Sequence, residues 1–119
     1  MPKYIDGFLL PVSKNKLEAY KKMAKLGAKL WKKYGALDYK ECIADDLNTM
    51  GTPSLFPHMV KLKSNEVVVF SFIVYKSRAH RDRVMKKVMQ DTSMEEMGKD
   101  MPFDMKRMAV AGFSVMVDL

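Results

Sequence analysis

Nine residues dominate what this chain can fold into. Val67-Val68-Val69-Phe70-Ser71-Phe72-Ile73-Val74-Tyr75 is β-branched and aromatic almost throughout, which reads as a strand. Successive strand side chains point to opposite faces. One face carries Val67, Val69, Ser71, Ile73 and Tyr75, and the other Val68, Phe70, Phe72 and Val74. Both are apolar, so the strand needs cover on two sides. The run is far short of the ~20 residues that a membrane helix requires.

Two more segments share this two-sided character. Tyr4 to Val12 reads as the first strand, with Tyr4, Phe8, Leu10 and Val12 on one side and Ile5 and Leu9 on the other. Arg107 to Asp118 reads as the last, with Met108, Val110 and Met116 opposed to Ala109, Ala111, Phe113, Val115 and Val117. Leu37 to Ala44 is a further strand, His58 to Lys63 a short one, and Lys63-Ser64-Asn65-Glu66 a turn. Asp45 to Pro57 is a loop punctuated by Asn48, Gly51, Pro53 and Pro57, and Asp100 to Asp104 is another.

Two helices fall between these strands. Leu17, Tyr20, Ala24, Gly27, Trp31 and Tyr34 recur at helical spacing, and Met23, Leu26 and Leu30 widen the stripe. Ser13 is the expected N-cap, and Gly35 suits the left-handed residue that ends a helix. Ser77 is placed to cap a second helix from Arg78 to Gln90, with Val84, Met85, Val88 and Met89 inward. Ser93-Met94-Glu95-Glu96 matches a capping box for a short helix to Met97, stopped by Gly98. The order β-α-β-β-α-β implies a single α+β domain over residues 1–119, a ferredoxin-like plait with strand order 4-1-3-2. Two helices cover one face of such a sheet. The economical cover for the other is a second copy of the chain. The expectation is a homodimer with stacked sheets, a dimeric α/β barrel.

Charge is concentrated in one place. The 119 residues hold 21 basic and 14 acidic side chains, a net +7. Between Lys14 and Lys33 stand eight lysines and one acid, Glu18, so this segment carries the whole excess. The lysines occupy the polar arc of the first helix. Such an arc is most often a solvated face. The alternative is a docking surface for RNA or an acidic partner. Nucleic acid is not the expected partner, because specific sites favour Arg and the chain has 17 Lys against four Arg. The aromatic residues of this helix also lie away from the lysines. Cys42 is the only cysteine, so no internal disulfide forms. The N-terminus has no signal-peptide core, and a cytoplasmic protein without membrane attachment is expected.

Candidate chemistry is sparse. Asp6 is a carboxylate inside an apolar strand and needs a partner. It is either a structural ion pair with a lysine or arginine, or a general base of raised pKa at a barrel mouth. Arg107 stands where loop becomes strand and is a candidate anion clamp, or with Asp104 a charge pair pinning that loop. His58, after Pro57, is a candidate facing a cavity, while His80 reads as surface. Asp6, Arg107 and His58 are the catalytic candidates, and Tyr4, Trp31 and Asp104 the ligand-binding ones. Two histidines and one cysteine do not compose a zinc site. No nucleotide, hydrolase or metalloprotease motif occurs, so no cofactor is expected. The expected function is binding of a small organic molecule in a cavity between sheet and helices. Cofactor-independent monooxygenase or isomerase chemistry is an analogy at fold level.

Several segments carry a family resemblance. Lys3-Tyr4-Ile5-Asp6-Gly7-Phe8 resembles the opening of the DUF1428 or YbaA-like bacterial proteins. Met101-Pro102-Phe103-Asp104-Met105-Lys106-Arg107-Met108, followed by Gly112-Phe113, resembles their C-terminal signature. Gly35-Ala36-Leu37, Glu41-Cys42 and Glu66 to Ser71 also fit, whereas Asn48 to Phe56 departs from the pattern. The resemblance implies a dimeric α/β barrel fold and no established activity.

Overall fold

The fold is that of a computed structural model, which describes residues 1–97 and 101–119. Its frame is the pair of two-sided apolar strands. β1 (Tyr4–Ser13) and β3 (Glu66–Tyr75) run antiparallel along their full lengths, from Tyr4 opposite Tyr75 to Ser13 opposite Glu66. β2 (Asp38–Ile43) pairs with the outer side of β3, and β4 (Ala109–Ser114) with the outer side of β1. The sheet order β2-β3-β1-β4 is the expected 4-1-3-2. The architecture is α+β and ferredoxin-like.

α1 (Leu17–Lys33) follows a 3-10 turn at Lys14–Lys16. Ser13 is extended at the end of β1 and its side chain makes no capping bond, so it does not have the expected role. Gly35 has φ of 113°, the left-handed conformation that glycine adopts without strain. The chain then reverses: Ala36 N donates to Trp31 O at 3.0 Å, and Leu37 N to Val74 O at 2.8 Å. α3 (Arg78–Gln90) has its cap at Ser77, whose hydroxyl accepts from His80 N at 3.1 Å. In α4 (Ser93–Met97), Ser93 is the first helical residue, and its amide donates to Asp91 Oδ1 at 2.9 Å. The stop expected at Gly98 and the start of the loop at Asp100 lie outside the described residues.

Two strand expectations are corrected. The segment from His58 to Lys63 is no strand. Pro57 stands in the first turn of a short helix, α2 (Phe56–Met59), and Lys61 at φ 51° breaks any extended run. The segment drives Val60, fully buried, against Leu9 and Val68. The last strand runs only from Ala109 to Ser114, where it faces Tyr4 at the start of β1; Arg107 lies in the 3-10 turn before it, and a single bond from Val115 N to Lys3 O at 2.9 Å follows it.

One face of the sheet is filled. Leu10, Val12, Tyr20, Ala24 and Val69 form one cluster there, and Leu30, Trp31, Ala36, Ile73, Tyr75, Val84 and Val88 another. Met89 and Leu26, expected inward, are 55% and 57% exposed. The opposite face has only the small patch of Leu9, Val60 and Val68. Beyond it Phe70 and Phe113 stand 43% and 56% exposed, beside Ile5, Gly7, Ala109 and Ala111. The two-sided strands therefore leave one side uncovered within a single chain.

Candidate functional site

Asp6 lies on the filled face in the register Asp6↔Ile73, only 5% exposed. α3 begins three residues beyond β3, and its first turn brings Arg81 back over this position. Arg81 Nη1 donates to Asp6 Oδ1 at 2.9 Å, and its guanidinium stacks 4.9 Å from the Tyr4 ring centroid. Trp31 Nε1 donates to the Tyr75 hydroxyl at 3.1 Å, and Tyr75 and Asp6 lie close enough on this face for each to shift the other's pKa. Burial raises the Asp6 carboxyl above its usual range, against the pull of Arg81 and Tyr75. Asp6, Tyr4 and Trp31 thus meet in one network. It is packed and satisfied: no buried side-chain polar atom among the described residues lacks a partner.

Arg107 joins a different centre. It makes two parallel bonds of 2.7 Å to Glu66 and donates from Nε to Asp104 at 3.0 Å and from Nη1 to Lys61 O at 3.1 Å. Four donations hold the guanidinium on protein groups. Asp104 also accepts from Lys106 N at 3.0 Å, closing the 3-10 turn before β4. Glu66 is opposite Ser13, seven residues along β1 from Asp6, or about 23 Å at strand spacing. The structure therefore separates Asp6 from Arg107. His58, expected at a cavity, is exposed on α2. Trp31 and Tyr4 fall in the Asp6 network, Asp104 in the Arg107 centre.

A third cluster lies between α1 and β2, and it lines an open cavity of about 340 Å³. Its walls are Leu17, Tyr20, Lys21, Glu41, Cys42, Ile43 and Val69. Period-two geometry puts Tyr39 and Glu41 on the same side of β2, facing the helices. Gly27 lets Tyr39 approach α1, since a Cβ there would sit 3.3 Å from the Tyr39 hydroxyl. Tyr20 OH donates to Glu41 Oε1 at 2.6 Å, and Tyr39 OH to Oε2 at 2.8 Å. Burial and the nearby carboxylate both raise the tyrosine pKa values, so the phenols stay neutral. The arrangement is a carboxylate fixed by two hydroxyls at the wall of a mainly apolar pocket. Sequence reasoning passed over it, placing Tyr20 in a core stripe. The available signal was Tyr39 and Glu41 two residues apart on one strand.

The lysine arc of α1 is exposed as expected, at Lys21, Lys22, Lys25, Lys29, Lys32 and Lys33. Among the described residues no group of three His, Cys, Asp or Glu side chains is placed to hold a metal. No helix among them is long and apolar enough to cross a membrane.

Known proteins bear on the fold and the lineage. Two crystal structures of dimeric ferredoxin-like proteins from an uncultured marine organism are similar in fold. One has TM-score 0.61 and 12% identity over all of both chains. The other has TM-score 0.54 and 15% identity, over all of this chain and 92% of that one. "Uncharacterized protein YbaA" of Escherichia coli strain K12 is 45% identical over 116 residues, 98% of each chain. The protein of the same description from Shigella flexneri gives the same figures. The model of the family described as "Protein of unknown function (DUF1428)" matches residues 3–105, and this chain belongs to that family.

Proposed function

We propose that the protein is a bacterial, cytoplasmic homodimer, one ferredoxin-like domain per protomer. Its protomers stack through the open sheet face, and each binds a small organic molecule between α1 and the sheet. The observation that carries the ligand reading is the pocket beside Glu41. It is an apolar cavity of about 340 Å³ with a fixed polar group in its wall, the composition typical of small-molecule sites. The dimer reading is supported by the exposed Phe70 and Phe113 on an otherwise apolar face, and by the two similar folds described as dimeric. The packed network around Asp6 and the protein-held guanidinium of Arg107 favour structural roles over catalytic ones.

Two measurements test this. Ligand-observed NMR with a small aromatic fragment library reports binding, and Ile43→Trp, at a half-exposed lining position, abolishes it by filling the pocket. Fragments that bind that variant unchanged refute the ligand reading. Sedimentation velocity of the wild type gives a dimer, and Phe113→Asp gives a monomer that remains folded. A monomeric wild type at micromolar concentration refutes the dimer.

A further inference from the structure

We propose that the pocket between α1 and β2 selects ligands bearing a primary or secondary ammonium group, which the Glu41 carboxylate receives. This rests on the reading that the pocket holds a ligand, and adds the ligand's chemistry to it.

Among the described residues the four other carboxylates that are buried or partly so each have a cation: Asp6 has Arg81 at 2.9 Å, Asp38 has Lys40 at 2.7 Å, Glu66 has Arg107 at 2.7 Å, and Asp91 has Lys33 at 3.5 Å. Glu41 is half-buried, and among the described residues no lysine or arginine nitrogen comes within 4.0 Å of it. A half-buried charge without a counter-ion is costly to hold, and an incoming cation relieves that cost. The ammonium at the rim, Lys21, instead approaches Glu18 at 3.8 Å.

Geometry leaves room for the bond. An ionised carboxylate offers about four acceptor positions, and the two tyrosines take one on each oxygen. The remaining positions accept but cannot donate. A ligand carboxylate or phosphate meets repulsion there, and a neutral hydroxyl makes a weaker bond than a charged donor. The two phenols fix the carboxylate, so little orientational freedom is lost on binding. Leu17, Ile43 and Val69 line the apolar part, which suits an alkyl or aryl body. The lysines of α1 oppose a cation: those outside the pocket are exposed and screened over ~8 Å at physiological ionic strength, and Lys21, in the pocket wall, is partly offset by Glu18 at 3.8 Å.

The test is calorimetric titration of the full protein with three probes of one shape: 2-phenylethylamine, 2-phenylethanol and 3-phenylpropionate. The amine is expected to bind at least about tenfold more tightly than the alcohol, with no binding of the anion. Glu41→Gln removes that preference, lowering amine affinity at least about tenfold while leaving the alcohol unchanged. Equal binding of amine and alcohol overturns the ammonium assignment and leaves the pocket reading standing. Amine binding that survives Ile43→Trp places the site elsewhere and overturns both. Failure of all three probes at millimolar concentration overturns the assignment, and the fragment screen then decides the pocket by itself. If Glu41→Gln does not fold, the three-probe comparison on the unaltered protein is decisive alone.

Discussion

The ion pair between Glu66 and Arg107 should set the acid limit of the fold. Arg107 holds Glu66 at about 2, against a usual 4.5, through two bonds of 2.7 Å, helped by Lys63 N at 2.7 Å. A carboxylate depressed in the folded state contributes stability above its unfolded pKa and loses it as pH falls through its folded one. The window is therefore pH 4.5 down to 2. A gap of about 2.5 pH units corresponds to about 3.4 kcal/mol. Glu66 is 9% exposed, but the pair lies at the rim of the sheet, where water screens it, and about 2 kcal/mol is the expected share. The perturbation is Glu66→Gln, which keeps shape and removes the charge. The assay is urea unfolding followed by fluorescence of the single tryptophan, Trp31, at pH 6 and pH 2.5. Asp91, Asp38 and Asp104 are also depressed by their partners and weaken both proteins alike in acid. The difference between wild type and variant isolates Glu66. At pH 2.5 roughly three quarters of its share is gone, so the difference should shrink by about 1.5 kcal/mol. A difference that stays constant between the two pH values refutes the pair as the cause.

Two further perturbations bear on the filled face. Arg81→Met leaves Asp6 buried without its cation and should cost about 3–5 kcal/mol at pH 7. The cost falls at pH 4, because a carboxyl already raised by burial takes up a proton; equal losses at both pH values in urea unfolding would refute this. Gly112→Ala places a Cβ on the Tyr4 phenol and should cost about 1–3 kcal/mol in the same assay. No loss there would mean that Tyr4 is not held in place between Gly112 and Arg81.

Much of the fold was legible because local pattern and global need agreed. β3 is apolar on both sides, and only a central strand of a sheet with two covered faces uses such a sequence well. The capping role of Ser77 was legible because it depends on three neighbouring residues. Failures occur where a distant partner decides. β4 ends at Ser114, opposite Tyr4 at the start of β1, with one last bond from Val115 N to Lys3 O at 2.9 Å, and nothing in Val115, Met116 or Val117 announces that end. Ser13 looks like a cap until Glu66 pairs with it and keeps it extended.

The site follows the same logic. Asp6 plainly needed a cation, and Arg107 and Arg81 are equally basic in the sequence. Register chooses between them. Asp6 opposes Ile73, two residues before the strand end that leads into α3, so Arg81 returns to it. Glu66 opens β3 at the far end, so Arg107 meets Glu66 instead. Both arginines are thereby taken by acids that strand pairing brought to them. Glu41 sits on an edge strand paired with neither, where α1 presents the Tyr20 hydroxyl to it while Lys21, at the pocket rim, approaches Glu18. On α1 the lysines face water and Tyr20 faces the sheet, because an amphipathic helix must turn its apolar stripe inward. The periodicity that makes α1 pack is thus what gives Glu41 the Tyr20 hydroxyl and, among the described residues, no counter-ion from this helix.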